Sequence, residues 1–269
     1  WARVTVRGSA GDRCENGMKV SSRGIGPGVV AAAAGVVLAG VFLLVPPIHQ
    51  DPGFHQFADR RALLGLPNAG DVLSNLPFVI VGLLGLSASS ARRAFADPWE
   101  RWPRTVLFAA VIATAAGSGI YHLVPSDDTL FLDRLPQTLI SAALFTAVLA
   151  ERTTVRAART AFWPLLVAGA AAAAIWRWTG DLRLYGVVQF FPTLALPVLL
   201  VTNPPRYTHQ AGYWAAVGWY VAARLFEFLD YEIYAAVGLV SGHTLKHLAA
   251  AMAVRSLGVM VRTRHLSPK

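Results

Sequence analysis

Three short segments hold the side chains capable of chemistry. Gly117-Ser118-Gly119-Ile120-Tyr121-His122 closes one apolar run, Phe131-Leu132-Asp133-Arg134-Leu135-Pro136 opens the next, and Ser241-Gly242-His243-Thr244-Leu245-Lys246-His247 opens a run near the C-terminus. Residues four apart share a helix face, which pairs Ser118 with His122 and His243 with His247. Two imidazoles one turn apart can bind one metal ion. His122 from another helix would complete a three-histidine site with a fourth position left for water, the mark of a catalytic zinc. Zinc there would bring the pKa of its water toward about 7 and polarise a carbonyl oxygen. Asp133 is then suited to take the proton from that water and pass it to a leaving amine. Ser118 is suited to hydrogen-bond the zinc-bound oxygen or the developing oxyanion. The single cysteine, Cys14, excludes disulfides and cysteine cages within the chain, so a metal must be held by histidine and carboxylate.

Each piece taken alone has a plainer reading. An HxxxH pair can hydrogen-bond across a helix interface, Ser118 can be a small packing residue between two glycines, and Asp133 can be a helix N-cap. Haem is a poor rival, because two histidines one turn apart cannot be its two axial ligands.

The elements that must position these groups are transmembrane helices. Of the 269 residues, 55% are hydrophobic and 14% charged, against about 25% charged in a soluble domain. Spanning helices need about 20 mostly apolar residues. Such blocks fall near 28–46, 72–90, 104–124, 134–150, 160–178, 183–202, 211–229 and 236–260, separated by Pro46-Pro47, Pro67-Asn68, Asp97-Pro98, Pro125, Gly180-Asp181 and Pro204-Pro205. The small-residue run Ala168–Ala174 suits close helix packing. The expectation is an all-α polytopic bundle of about eight spans over 28–260. Ahead of it stands a polar leader, 1–27, disordered or partly untranslated, with Met18 a plausible start; behind it is a basic cytoplasmic tail, 261–269. The segment Val29–Val45 resembles a signal peptide but lacks a small-x-small cleavage site, so it reads as a retained first helix.

Cytoplasmic loops carry the excess of Lys and Arg. One set of alternating loops and termini holds seventeen of them and the other set four, so both termini should be cytoplasmic and the three chemical segments should lie near the outer face. The net charge of +9 is scattered between apolar blocks with no basic face, which excludes a nucleic-acid partner. Ionisable groups inside spans are costly and each is a site candidate. Arg224 and Glu227 are expected to pair on the seventh span, with Asp230 at its outer end. Lys246 is expected on a helix face away from the histidines, and His49, His55, His209 and His265 at the surface.

These residues resemble the alkaline ceramidases, within the seven-helix membrane hydrolases that also include adiponectin-receptor-like proteins. The match consists of Ser74-Asn75, Gly117-Ser118-x-x-Tyr121-His122, Asp133 in a Leu-Asp-x-Leu-Pro setting and His243-x-x-x-His247, over roughly residues 68–260. The resemblance implies a seven-helix core with the first span as an addition. It also implies a zinc ion on His122, His243 and His247 with Ser118 and Asp133 completing the catalytic set, a lipid-accessible cavity, and hydrolysis of ceramide, or a related N-acyl lipid drawn from the bilayer, to a long-chain amine and a fatty acid. Family members with a calcium site have a glutamate where this chain has Asn68, which argues against calcium. Asp51, Asp59 and Asp71 read as solvated loop charge and an N-cap. Phe54–Arg61 looks like the corresponding segment of bacterial members, and the alanine- and arginine-rich composition suits a GC-rich bacterium, hence an inner-membrane location. No protein partner is inferred. A ligand-sensing receptor of the adiponectin-receptor-like kind is the alternative; a transporter would be signalled by an internal repeat of broken helices, which is not seen.

Overall fold

The computed structural model describes residues 24–90 and 95–267. The basic leader with Cys14 and Met18, and Arg92 and Arg93, lie outside the described residues. What is described is helical, with no strand. The helices are α1 (Pro27–Leu44), α2 (Ala69–Leu73), α3 (Leu76–Ser90), α4 (Arg101–Leu123), α5 (Asp127–Arg152), α6 (Val155–Thr179), α7 (Arg183–Thr202), α8 (Ala211–Phe228), α9 (Asp230–Val237) and α10 (Gly242–Thr263). Five segments are long and apolar enough to cross a membrane: α1, α2–α3, α4 with its leading turn, α6 and α7. They make this an integral membrane protein. The helices α5, α8 and α10 are as long but carry Asp133, Arg134, Arg224, Glu227 and Lys246, which lower their hydropathy.

Local chemistry sets the helix ends that matter for the site. A capping box of Ser126 and Thr129 starts α5 at Asp127, a full turn and more before the apolar block at 134. Asp133 therefore lies inside the helix, and its reading as an N-cap is wrong. Ser241 caps α10 by accepting from Thr244 N at 3.0 Å. A break after α8 and the left-handed Gly238 (φ +70°) set off the short α9, so the expected block 236–260 is in fact the end of α9, a turn, and α10.

In the packing, α4 lies between α3 and α5, α10 between α3 and α8, and α6 and α7 lean on α5; α1 packs on α7 with only Val30 buried. Two glycines allow the closest approaches to the backbone of another helix. A Cβ on Gly117 would stand 2.1 Å from Leu132 O, and one on Gly242 would stand 2.1 Å from Phe226 O. Gly117 thus lets α4 meet α5 between Ser118 and Asp133, while Gly119 faces open space. The apolar core is centred on Phe108, Ala143, Val148, Leu199 and Val261.

At the bundle end away from the three histidines, the basic residues expected in loops are partly buried. Glu151 accepts from Arg104, Arg264 and the Tyr213 hydroxyl, and is almost fully buried. Arg152 donates to Asn203 O at 2.7 Å, to Leu200 O and to the Gln210 side chain. Arg264, from the segment read as a basic cytoplasmic tail, is 2% exposed.

Candidate metal centre

The C-terminal end of α4 and the N-terminal ends of α3, α5 and α10 meet at one end of the bundle. There His122, His243 and His247 each offer a nitrogen within 4.8 Å of the others, and all three are buried. Nε2 of His122 and Nε2 of His243 are 3.2 Å apart. Two nitrogens bound tetrahedrally to zinc at about 2.05 Å would be about 3.3 Å apart. The observed spacing fits a small tetrahedral ion without moving either helix.

The tautomer of His247 follows from its neighbour. Ser74 Oγ lies 2.9 Å from the main-chain oxygen of Asp71 and 2.7 Å from His247 Nδ1. A carbonyl can only accept, so the one hydroxyl proton goes to Asp71 O, and His247 Nδ1–H donates to Ser74 Oγ. Nε2 of His247 is left as a lone pair, the state a metal ligand requires. His122 has no such support: its Nδ1 is buried without a partner. Asn68 instead fixes the chain there, donating to His122 O at 2.8 Å.

The carboxylates around the centre are not solvated loop charge, as Asp59 and Asp71 were expected to be. Asp71 is fully buried under α10, where Thr244 Oγ1 donates to its Oδ1 at 2.7 Å and Ser241 Oγ at 3.1 Å. Asp59 is 1% exposed and takes three hydrogen bonds from Arg61, which hold its carboxyl below the usual carboxylate range. Asp51 does cap a short turn, accepting from Gly53 N at 2.8 Å. Asp230 accepts from His243 N at 2.7 Å and Ala58 N at 3.2 Å, which joins the start of α10 to the segment ahead of α2. That segment covers the histidines: the Phe57 ring sits 4.6 Å from that of His122 and 5.5 Å from that of His243. His55 is no plain surface histidine, since its ring bridges the Tyr121 hydroxyl and the Asp127 carboxylate, each at 3.2 Å.

Ser118 and Asp133 face each other across the α4–α5 contact, the hydroxyl lying against the carboxylate. Gln137 Nε2 donates to Asp133 Oδ1 at 2.9 Å. Both side chains line a cavity of about 870 Å³, and His247 forms part of the same wall. The cavity runs between α4, α5, α7, α8 and α10 and becomes apolar away from the histidines, at Ile140, Leu144, Leu196 and Leu257. Phe190 and Phe228, both well exposed, flank it on α7 and α8, two helices that hardly touch each other.

The Arg224–Glu227 pair is present. It continues to Lys246, whose Nζ is 2.7 Å from Glu227 Oε1 and 3.4 Å from His243 Nε2. Lys246 therefore reaches back to the metal-facing nitrogen, correcting its placement on a remote face: a helix wheel fixes where Cβ points, and a four-carbon stem reaches well beyond that. The one signal in the sequence for this contact was Glu227 itself, an acid inside a span in need of a cation.

No protein-family model matches the chain, and no match is found among curated proteins or solved structures.

Proposed function

We propose that this protein is a zinc-dependent membrane amidase that hydrolyses ceramide or a related N-acyl lipid to a long-chain amine and a fatty acid. The observation that carries the reading is the convergence of three buried histidines, from two helices, with Ser118 and Asp133 at the wall of one cavity whose far part is apolar. Such a cavity suits a lipid whose acyl chain lies among the helices while its amide reaches the polar end. The resemblance to the alkaline ceramidases, drawn from the motifs, points to the same chemistry.

In this reading α5, α8 and α10 also cross the bilayer, giving eight spans, because their ionisable groups point to the cavity or to one another. The distribution of Lys and Arg then puts both termini in the cytoplasm of a bacterial cell and the histidine centre near the outer face of its inner membrane.

His122, His243 and His247 would hold the zinc ion, which would supply Lewis acidity toward a water molecule and the acyl oxygen. The chain's own residues do the rest. Gln137 and the Ser118 hydroxyl lie against the Asp133 carboxylate, one oxygen of which takes a proton as water oxygen bonds to the amide carbon. The same oxygen returns that proton to nitrogen as the C–N bond breaks. While Asp133 holds the proton, the Ser118 hydroxyl turns to stabilise negative charge on the acyl oxygen. The Lys246 ammonium, held by Glu227, adds positive charge beside Nε2 of His243.

The test is metal content and fatty-acid release measured together on the purified protein in detergent, wild type beside His243→Ala and His122→Ala. About one zinc per chain, lost along with release in both variants, is the expected result. Metal-free, correctly folded wild type sinks the mechanism; full zinc with no release from any N-acyl lipid sinks the hydrolase and leaves the ligand-sensing alternative.

A further inference from the structure

Four arginines of the described residues are buried: Arg104, Arg134, Arg152 and Arg264. Arg104 and Arg264 share Glu151, and Arg152 has main-chain carbonyls and Gln210. Arg134 differs. It is 8% exposed, lies in the cavity wall next to Asp133, and forms no ion pair among the described residues. Its guanidinium is held by the faces of Trp176 (4.1 Å) and Tyr185 (4.9 Å), and one nitrogen donates to Gln50 Oε1 at 2.6 Å. Its other terminal nitrogen, Nη1, is buried and has no acceptor.

Four residues along α7 from Tyr185, on the same face, Gln189 also lines the cavity, and its Oε1 is buried and without a donor. The wall thus presents an unused donor on a cation and an unused acceptor. Of the cations lining the wall, Arg224 and Lys246 share Glu227, which leaves Arg134 as the one without an ion pair among the described residues. A hydroxyl could satisfy the two orphan groups, but only an oxyanion also matches the charge of a buried guanidinium.

Position decides which part of a substrate would lie there. The apolar end of the cavity, at Leu144, is eleven residues up α5 from Asp133, about 16 Å along the helix axis. An acyl chain directed that way, with its carbonyl near Asp133 and His247, leaves the amine-derived half at the end where Arg134 stands. Resting on the amidase reading above, we infer that Arg134 and Gln189 form a subsite for an oxyanion on the amine-derived half of the substrate: the natural substrate is an N-acyl lipid with a carboxylate or phosphate there. Arg134 donates Nη1–H to that oxyanion, and Gln189 Oε1 accepts from a neighbouring N–H or O–H.

The experiment compares wild type, Arg134→Gln, Arg134→Lys and Gln189→Leu on three amides of equal acyl length: N-palmitoylglycine, N-palmitoyl-phosphoethanolamine and neutral N-palmitoylethanolamine. Equilibrium binding of labelled N-palmitoylglycine and of palmitate to chelator-treated protein is measured in parallel. Wild type is expected to favour one of the anionic amides at least tenfold over the neutral one, and which of the two identifies the oxyanion. Arg134→Gln should lower kcat/KM for that amide about 10- to 100-fold, the loss of one charge-assisted hydrogen bond, with the neutral amide changed less than threefold. Arg134→Lys keeps the charge but not the planar fork that stacks on Trp176 and Tyr185, and should show an intermediate loss should the glutamine variant not fold. Binding of N-palmitoylglycine without metal should weaken in the same order, so the subsite is tested even if no amide is cleaved. Equal rates on all three amides, equal losses on all three in Arg134→Gln, or Arg134-dependent binding of palmitate rather than N-palmitoylglycine would each overturn the inference.

Discussion

Replacing Ser74 by alanine should weaken zinc binding about 10- to 100-fold without removing a ligand. The Ser74 hydroxyl accepts from His247 Nδ1 at 2.7 Å, and both side chains are buried. Without it, Nδ1–H keeps only its weaker contact with the main-chain oxygen of Asp71, and a poorly satisfied buried donor costs up to about 1–3 kcal/mol. Loss of one such support behind a metal-bound histidine typically lowers affinity by that 10- to 100-fold, about 1.4–2.8 kcal/mol. The two figures agree, and they arise from one event: the imidazole is free to rotate or to move its proton to Nε2, the nitrogen that must bind. His122 offers no compensation, because its own Nδ1 is already unpartnered. The assay is competition for zinc against a chromophoric chelator in detergent, with Ser74→Thr as the variant that keeps the hydroxyl and should stay within about threefold of wild type. Thermal midpoints in excess chelator separate affinity from the loss of the Ser74–Asp71 hydrogen bond at the start of α3. Unchanged affinity in Ser74→Ala would refute the tautomer argument.

Gly117→Ala should destabilise the bundle by about 1–3 kcal/mol or more, since the new Cβ meets Leu132 O; Gly119→Ala, two residues on and facing open space, should leave the thermal midpoint in detergent unchanged or slightly raised. Glu151→Gln should cost about 3–5 kcal/mol, because Arg104 and Arg264 are left buried around a neutral amide, again read from the thermal midpoint. Asp181, in the loop between α6 and α7, accepts from Arg183 and from Ile48 N, and the Arg183 hydrogen bonds hold its carboxyl down at about 2. Its folded pKa is depressed below an unfolded value of about 3.9, so its contribution is complete above that value and disappears as pH falls toward 2. The protection of the Ile48, His49 and Gln50 amides, taken as exchange relative to the intrinsic rate at each pH, should therefore fall over that window in wild type, and Asp181→Asn should remove that change.

How much of this could be read from sequence depended on whether a residue's role was set by periodicity or by reach. The three histidines, Ser118 and Asp133 follow from helix spacing and alternating loops, because a span has two ends and its last turn lies at one of them. The start of α5 was missed by seven residues because a hydropathy pattern begins where apolar residues begin, whereas a helix begins at its cap, here Ser126. The role of Asp71 was missed for a related reason. A carboxylate before a span reads as solvated until the hydroxyls of Ser241 and Thr244, 170 and more residues away, are brought to it by the fold. Glycine spacing was ambiguous in the same sense: Gly117 and Gly119 flank Ser118 alike in sequence, and only the direction of α5 shows which one is needed.

The helices of lowest hydropathy are those that bring the charged groups to the cavity. Asp133, Arg134, Arg224, Glu227 and Lys246 all belong to α5, α8 and α10, and all of them line the cavity. An ionisable group facing hydrocarbon would cost several kcal/mol, whereas one facing a cavity with partners need not. Low hydropathy in these helices is thus a consequence of the site and not an argument against their crossing the bilayer. The contrast with α1 makes the point from the other side: it has the highest mean hydropathy of the five apolar spans, 2.3, and almost no buried surface, 6% of its apolar window. A helix that meets little besides lipid can be apolar all round, and it brings no polar group to the cavity.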